Sequence, residues 1–382
     1  MKSKIRIALA TQGYPLGGIT SVNLSIARRV SEAAPEFEFF IFHDKPIKKK
    51  HIDCPFQTVL VRDFPEAVKE WGIDILVECS RLEKGTDEIR RNGTRVIYAD
   101  HGQAFGEQFA ILDRRRGGTG LFPLKRILWY LFQKRRYDGT GRAWRMAVAR
   151  TAKAYESADI YLCLCQAYKD QIQQELGLPS DNRLRVIRNY HPTVENPCLE
   201  KEKSILYCGR LSRYDKRVDR ILRIWARVQD QLPEYSLDIV GSGREGANLM
   251  RLARRLSLKR VTFWGKRFDV DTFYNKASIL CMTSQTEGWG LVLTEAQANG
   301  VIPIAFNCSA GVEEILDDGA GVLVPHADEE RFAQELLALC KTEDLRPLRE
   351  RCIEKAKLFS EEENTQAWTQ LFRSLSEASD KA

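Results

Sequence analysis

Short apolar runs rich in Val, Ile and Leu alternate with longer stretches of helical periodicity along almost the whole chain. Runs at residues 5–10, 37–43, 57–62, 75–80, 95–100, 160–165 and 184–189 are expected strands. A second series falls at 204–209, 236–241, 261–265, 279–284, 302–307 and 321–325. Continuously apolar strands separated by helices imply parallel sheets covered on both faces. Between the two series, HPTVENPCLEKEKS (191–204) carries two prolines and many charges without periodicity, which predicts an interdomain linker. The expected organisation is α/β: a Rossmann-like domain over 1–190, a linker over 191–203 and a second such domain over 204–360. Residues 361–382 are expected to form a helix that packs back toward the first domain. Ser360 and Glu363 match a capping box, and Trp368, Leu371, Phe372 and Leu375 form a helical stripe. The sequence shows no internal repeat, although the halves share an architecture.

A chain of 382 residues is long enough for two such domains, and an apolar content of 43% is that of a globular protein. No uncharged apolar stretch reaches the roughly 18 residues of a membrane-spanning helix. The N-terminus is basic and then apolar, but its apolar part, IRIALA, is short for a signal peptide and fits a first core strand. Of the ten cysteines, Cys79, Cys163, Cys165, Cys208 and Cys281 lie in strand-like runs, where cysteine acts as a small hydrophobe. That placement implies a reduced, cytoplasmic protein, and no paired metal-ligand spacing occurs. The net charge of +7 is concentrated: residues 114–153 hold twelve Lys or Arg against one acid, Asp138.

In open α/β sheets ligands bind at the carboxyl ends of strands. After the expected strand 279–284 comes Gln-Thr-Glu287-Gly288-Trp289-Gly290, then a helix carrying Glu295. The glycines let the backbone approach a ligand, and the helix start offers free N–H groups to phosphate or hydroxyls. Either carboxylate suits a sugar: Glu295 a ribose diol, Glu287 a hexose. The segment TSQTEGWGLVLTEAQANGVIPIAF resembles the signature of the family 4 glycosyltransferases, a Glu, seven residues, then Glu. Trp289 stands where Phe is more common, and with Gly288 and Gly290 it is expected to contact the donor. The resemblance implies a GT-B fold, two Rossmann-like domains with parallel sheets facing across a cleft, and transfer with retention at the anomeric carbon. It assigns Glu287 to the donor sugar and Glu295 to the ribose. It is strong over 204–325 and looser over 1–190.

The same resemblance implies an Arg and a Lys after the first strand of the second domain, neutralising the donor diphosphate. Arg210 matches; with a gap one residue longer than usual, the lysine role falls to Lys216 or Arg217. In the first domain, Gly17 and Gly18 permit a tight turn before a helix, placed by the resemblance beside the diphosphate and acceptor. His101 follows strand 95–100; the resemblance gives it contact with the donor sugar. Its neighbour Asp100 either orients it or caps the strand.

Two motifs compete. Gly241-Ser-Gly243-Arg-Glu-Gly246 matches a dinucleotide fingerprint. It follows the second strand of its domain rather than the first, and no acid stands near Lys266 where one is required. Asp269-Val-Asp271 resembles a metal-binding DxD, but it precedes a helix, where Asp is a good N-cap. No metal and no cofactor is therefore expected. The basic segment 114–153 also carries Leu121, Phe122, Trp129, Tyr130, Phe132 and Trp144, a mixture suited to peripheral contact with an anionic membrane or to an ordinary amphipathic helical pair. No nucleic-acid motif accompanies it.

The expected activity is transfer of a sugar from a nucleotide-diphosphate sugar, with UDP favoured, to a saccharide or lipid-linked acceptor. The setting implied is surface polysaccharide, lipopolysaccharide or glycolipid assembly. The alternatives are a nucleotide-sugar epimerase of the same fold, a non-catalytic nucleotide-sugar-binding protein, and a dinucleotide oxidoreductase.

Overall fold

The computed structural model describes residues 4–11, 18–45, 54–106, 141–180 and 182–379. It divides into two units, Met1–Arg188 with Thr365–Ala382, and Asn189–Asn364.

The first unit holds β1 (Ile5–Thr11), β2 (Phe37–His43), β3 (Gln57–Leu60), β4 (Ile75–Cys79), β5 (Arg95–Ala99), β6 (Ile160–Cys163) and β7 (Leu184–Val186). They form a seven-stranded sheet in the order β3-β2-β1-β4-β5-β6-β7, and its pairings are parallel. The helices between them are α1 (Gly18–Ala33), α2 (Phe64–Glu70), α3 (Thr86–Arg91), α4 (Arg142–Ser157) and α5 (Gln166–Leu176). Central strands are apolar on both sides because both faces are covered: Ile7, Ala8, Leu9 and Ala10 of β1 are all buried. α2 starts where Asp63 Oδ1 accepts from Glu66 N at 3.0 Å and Pro65 opens the first turn.

The second unit holds β8 (Ser204–Cys208), β9 (Ser236–Val240), β10 (Val261–Gly265), β11 (Ile279–Met282), β12 (Ile302–Phe306) and β13 (Val322–Val324). Its six-stranded parallel sheet runs β10-β9-β8-β11-β12-β13. Its helices are α6 (Val218–Val228), α7 (Gly246–Arg255), α8 (Val270–Lys276), α9 (Leu291–Ala298), α10 (Ala310–Leu316), α11 (Glu329–Lys341) and α12 (Arg346–Ala356). Trp225 of α6 is fully buried in this core, and its indole N–H donates to Lys259 O at 2.9 Å. Strand order reverses between β1 and β4 in one sheet and between β8 and β11 in the other. At such switch points neighbouring loops diverge and open a crevice.

Each expected strand is present, but several stop short at their carboxyl ends. Leu164 and Cys165, read as part of a strand, follow β6 and stay in the core after its ladder has ended. Residues 191–203, read as a linker, are mostly exposed but are tied down at several points. His191 pairs with Ser360 in a parallel bridge. Lys201 Nζ donates to the carbonyls of Tyr274, Asn275 and Asn299 at 2.8, 3.2 and 2.8 Å. A charge read as loop composition is thus a shared C-terminal cap for α8 and α9.

The last helix, α13 (Glu361–Ser379), begins where Ser360 Oγ accepts from Glu363 N at 3.3 Å. Phe372 packs edge-on against Phe37 and Phe39, with centroids 5.7 and 5.9 Å away.

Glu78 of β4 is fully buried. Its Oε1 accepts from Thr86 Oγ1 at 2.5 Å and Glu83 N at 3.2 Å, tying the strand to the start of α3. Among the described residues its Oε2 has no partner, and burial pushes the carboxyl up to about 7. The folded state therefore holds this proton more tightly than the unfolded chain. The resulting stability is fully present below about pH 4.5 and is lost as pH rises through about 7. At about 1.4 kcal/mol per pKa unit, the span is on the order of 3 kcal/mol. Glu78→Gln keeps the shape and removes the titration. The Tm of the wild type relative to this variant is expected to fall by several degrees between pH 5 and pH 8. A constant difference would contradict the assignment.

Candidate active site

The β8–β11 switch point is built from two loops. The first leaves β8 through Gly209 (φ 149°) and runs through Arg210 and Lys216 to α6. The second leaves β11 through the buried Thr283 and Ser284, passes Glu287, and enters α9 at Gly290 (φ 99°). Gly290 has to be left-handed here, which an L side chain strains to match. Gln285 N donates to Asp215 O at 2.6 Å and joins the loops directly.

At the junction Lys216 Nζ donates to Glu287 Oε1 at 2.5 Å, and Ser284 Oγ donates to the same oxygen at 2.6 Å. The carboxylate is largely sheltered and the ammonium about a quarter exposed. Arg210 pairs with Asp215, which also accepts from Ser212 Oγ. Lys216 and Arg217 part company. Arg217 is itself left-handed (φ 46°) and its guanidinium forks onto Asp219 at 3.0 and 3.1 Å, leaving Lys216 as the cation on Glu287.

Glu295 lies a turn into α9, half-buried, its Oε2 accepting from Tyr274 Oη at 2.6 Å. Burial pushes this carboxyl up, against the opposing pull of the phenol. Trp289 does not present its ring to a ligand. It is buried and stacks edge-on against Phe359 with centroids 5.3 Å apart, so it buttresses the turn from below. A Cβ on Gly311 would come within 2.6 Å of Gly288 O, so α10 packs tightly against the same turn. Cys308, which precedes α10, lies close to Glu287; burial first, then that charge, pushes its thiol up to about 12, which disfavours the thiolate.

In the first unit His101 follows β5, and its main-chain N–H donates to Ser80 Oγ at 2.8 Å. Asp100 accepts from Gly102 N at 2.9 Å and from Tyr161 Oη at 2.8 Å, so its carboxylate braces the turn after β5. Gly18 opens α1. Gly17 and residues 107–140, most of the basic segment, lie outside the described residues.

The glycine-rich turn after β9 serves the fold. A Cβ on Gly241 would lie 1.8 Å from Gly209 O, and one on Gly243 2.1 Å from Leu211 O. The space that glycines leave for a dinucleotide diphosphate is filled by the backbone of the Arg210 loop, so the dinucleotide reading fails on geometry. Asp269 stands before α8, but its carboxylate pairs with Arg267 at 2.7 and 2.9 Å rather than capping the helix.

The sequence reading missed Asp215, Ser284 and Tyr274, which hold Arg210, Glu287 and Glu295 in place. Asp215 carried a signal, a lone acid among the cations of its loop. Tyr274 carried none, because its partner lies two elements away.

Residues 194–359 match the family described as glycosyl transferases group 1. An uncharacterized glycosyltransferase of Haemophilus influenzae is 32% identical over 308 residues, 79% of this chain and 80% of that protein. The amylovoran biosynthesis glycosyltransferase AmsD of Erwinia amylovora is 33% identical over 147 residues, 38% of this chain and 41% of that protein. Among solved structures, Anabaena HepE in complex with UDP superposes with a TM-score of 0.70 at 17% identity, covering 97% of this chain and 100% of that one. That likeness shows the GT-B fold. With paired loops at the β8–β11 switch point, and an identity of 32% to a glycosyltransferase over most of its length, the chain belongs to the group 1 glycosyl transferases.

Proposed function

We propose that the protein transfers a sugar from a nucleotide-diphosphate sugar, with UDP favoured, to a saccharide or lipid-linked acceptor, with retention at the anomeric carbon. The observation that carries this is the Lys216–Glu287 pair at the switch point, a cation and a carboxylate side by side where a sugar diphosphate needs one of each. Arg210 and Lys216 bind the diphosphate, with Gly17 and Gly18 as further donor contacts. At about 4 Å and an effective dielectric near 20, each unit-charge contact is worth roughly 4 kcal/mol before desolvation. These contacts strengthen as the leaving diphosphate gains charge, which lowers the barrier. Glu287 and His101 shape the sugar site, and Glu295 accepts from the ribose diol. The acceptor hydroxyl attacks on the face the diphosphate leaves. A diphosphate oxygen takes its proton, so no covalent enzyme intermediate is needed.

The UDP held by HepE supports the choice of base, and the amylovoran role of AmsD supports surface polysaccharide synthesis. We place the enzyme in the cytoplasm, with residues 114–153 as its contact with an anionic membrane. The test is thermal stability with UDP, GDP, ADP, dTDP and NAD, each with and without EDTA. A ligand at about 100 times its Kd adds roughly 2.7 kcal/mol. One nucleoside diphosphate is expected to stabilise the protein equally in both conditions. Stabilisation by NAD alone, or only without chelator, would overturn the reading.

A further inference from the structure

Glu295 meets a tyrosine that the expected chemistry does not use. Tyr274 belongs to α8, is buried, and sends its hydroxyl to Glu295 Oε2 at 2.6 Å. The thiol of Cys208, the last residue of β8, lies beside this pair. The three residues join α8, α9 and the strand that leads into the Arg210 loop. The backbones of the two helices are fixed as well, since Lys201 Nζ clamps Tyr274 O, Asn275 O and Asn299 O together. The phenol thus sits on rigid supports, and Glu295 Oε1 has no partner among the described residues.

We propose that Tyr274 is a positioning residue: it occupies one oxygen of Glu295 and aims the other at the ribose hydroxyls of the bound nucleotide. This rests on the reading of Glu295 as the ribose contact. A carboxylate entering a sheltered site loses hydration, and a diol can replace that hydration only if the acceptor is ionised and correctly turned. The phenol meets both needs, by donating to the charged form and by removing the rotation that would take Oε1 off the diol. Without it, burial favours the protonated acid, which offers a hydrogen-bond donor where the ligand also presents donors.

The experiment is calorimetric titration of Tyr274→Phe, Glu295→Ala, Cys208→Ala and wild type with UDP and with 2′,3′-dideoxy-UDP, at pH 6 and pH 8. Tyr274→Phe removes one oxygen and leaves the ring in the core, so its Tm is expected to stay close to wild type. UDP affinity in that variant is expected to fall about tenfold at pH 6 and to recover partly at pH 8, with dideoxy-UDP binding unchanged. Cys208→Ala, which leaves the Tyr274–Glu295 bond in place, is expected to keep the preference for UDP; this separates the bond from general disturbance of the site. If Glu295→Ala loses that preference while Tyr274→Phe keeps it, the positioning role is overturned and the ribose reading stands. If Glu295→Ala binds both ligands as wild type does, the ribose reading fails and takes the proposal with it.

Discussion

Glu287→Ala is expected to lower sugar transfer to about 1% of wild type or less while leaving nucleoside diphosphate binding intact. The carboxylate is held on one oxygen by Lys216 at 2.5 Å and Ser284 at 2.6 Å, which fixes its orientation at the switch point. Removing one preorganised group from a transition-state site typically costs about 2.7–4 kcal/mol. Alanine also frees Lys216 from its only ion-pair partner among the described residues. That cation stays available to the diphosphate, so the loss should appear in kcat and spare UDP affinity. Single-turnover kinetics with a UDP titration of the variant would show both effects. Turnover near the wild-type value would remove Glu287 from the mechanism. Equal losses in UDP affinity and rate would make it a general support of the site instead.

Gly241→Ala is expected to destabilise the second unit by more than about 3 kcal/mol. The added Cβ would stand 1.8 Å from Gly209 O, against backbone that has no rotamer to give, and Gly241 sits at φ +139°. Relief requires the Arg210 loop to move, so nucleoside diphosphate binding should fail with the fold. For a domain of this size the Tm should drop by about 6 °C or more. Gly246→Ala is the contrast. Its Cβ would meet only Leu211 Cδ1, at 3.6 Å, and alanine suits the start of α7, so a change within about 1 kcal/mol is expected. Thermal unfolding of the pair decides the matter. A native-like Gly241→Ala would mean that the loop is not packed against the glycine-rich turn.

The strands were readable because each is an apolar run closed by loop-forming residues, and parallel sheets buried on both faces write that pattern plainly. Helix α13 was readable for a similar reason: Ser360 with Glu363 marks its start, and Phe372 on the stripe fills a pocket beside Phe37. The Glu287–Glu295 spacing was legible as local sequence. What faces each carboxylate was not. Lys216 lies 71 residues from Glu287 along the chain, and Tyr274 lies 21 from Glu295, so only the fold brings them together. Lys216 and Arg217 were indistinguishable by charge. The left-handed backbone at Arg217 and the carboxylate of Asp219 separate them. Trp289 was less legible, because nothing local shows that a tryptophan between glycines anchors its loop to Phe359. The sequence weighed the dinucleotide reading of the glycine-rich turn after β9 by strand position and a missing acid; the backbone of the Arg210 loop lying in its hollow settles it.

The central claim is transfer with retention from a nucleotide-diphosphate sugar held at the β8–β11 switch point. Its most direct test is proton NMR of the product formed from the UDP-sugar that binds and a saccharide acceptor, read early enough to precede anomer exchange. The account predicts a new glycoside with the anomeric configuration of the donor, one equivalent of UDP released per bond formed, and product from Glu287→Ala at about 1% of the wild-type rate or less. A product of inverted configuration, or a free epimerised sugar formed without any acceptor, would contradict it.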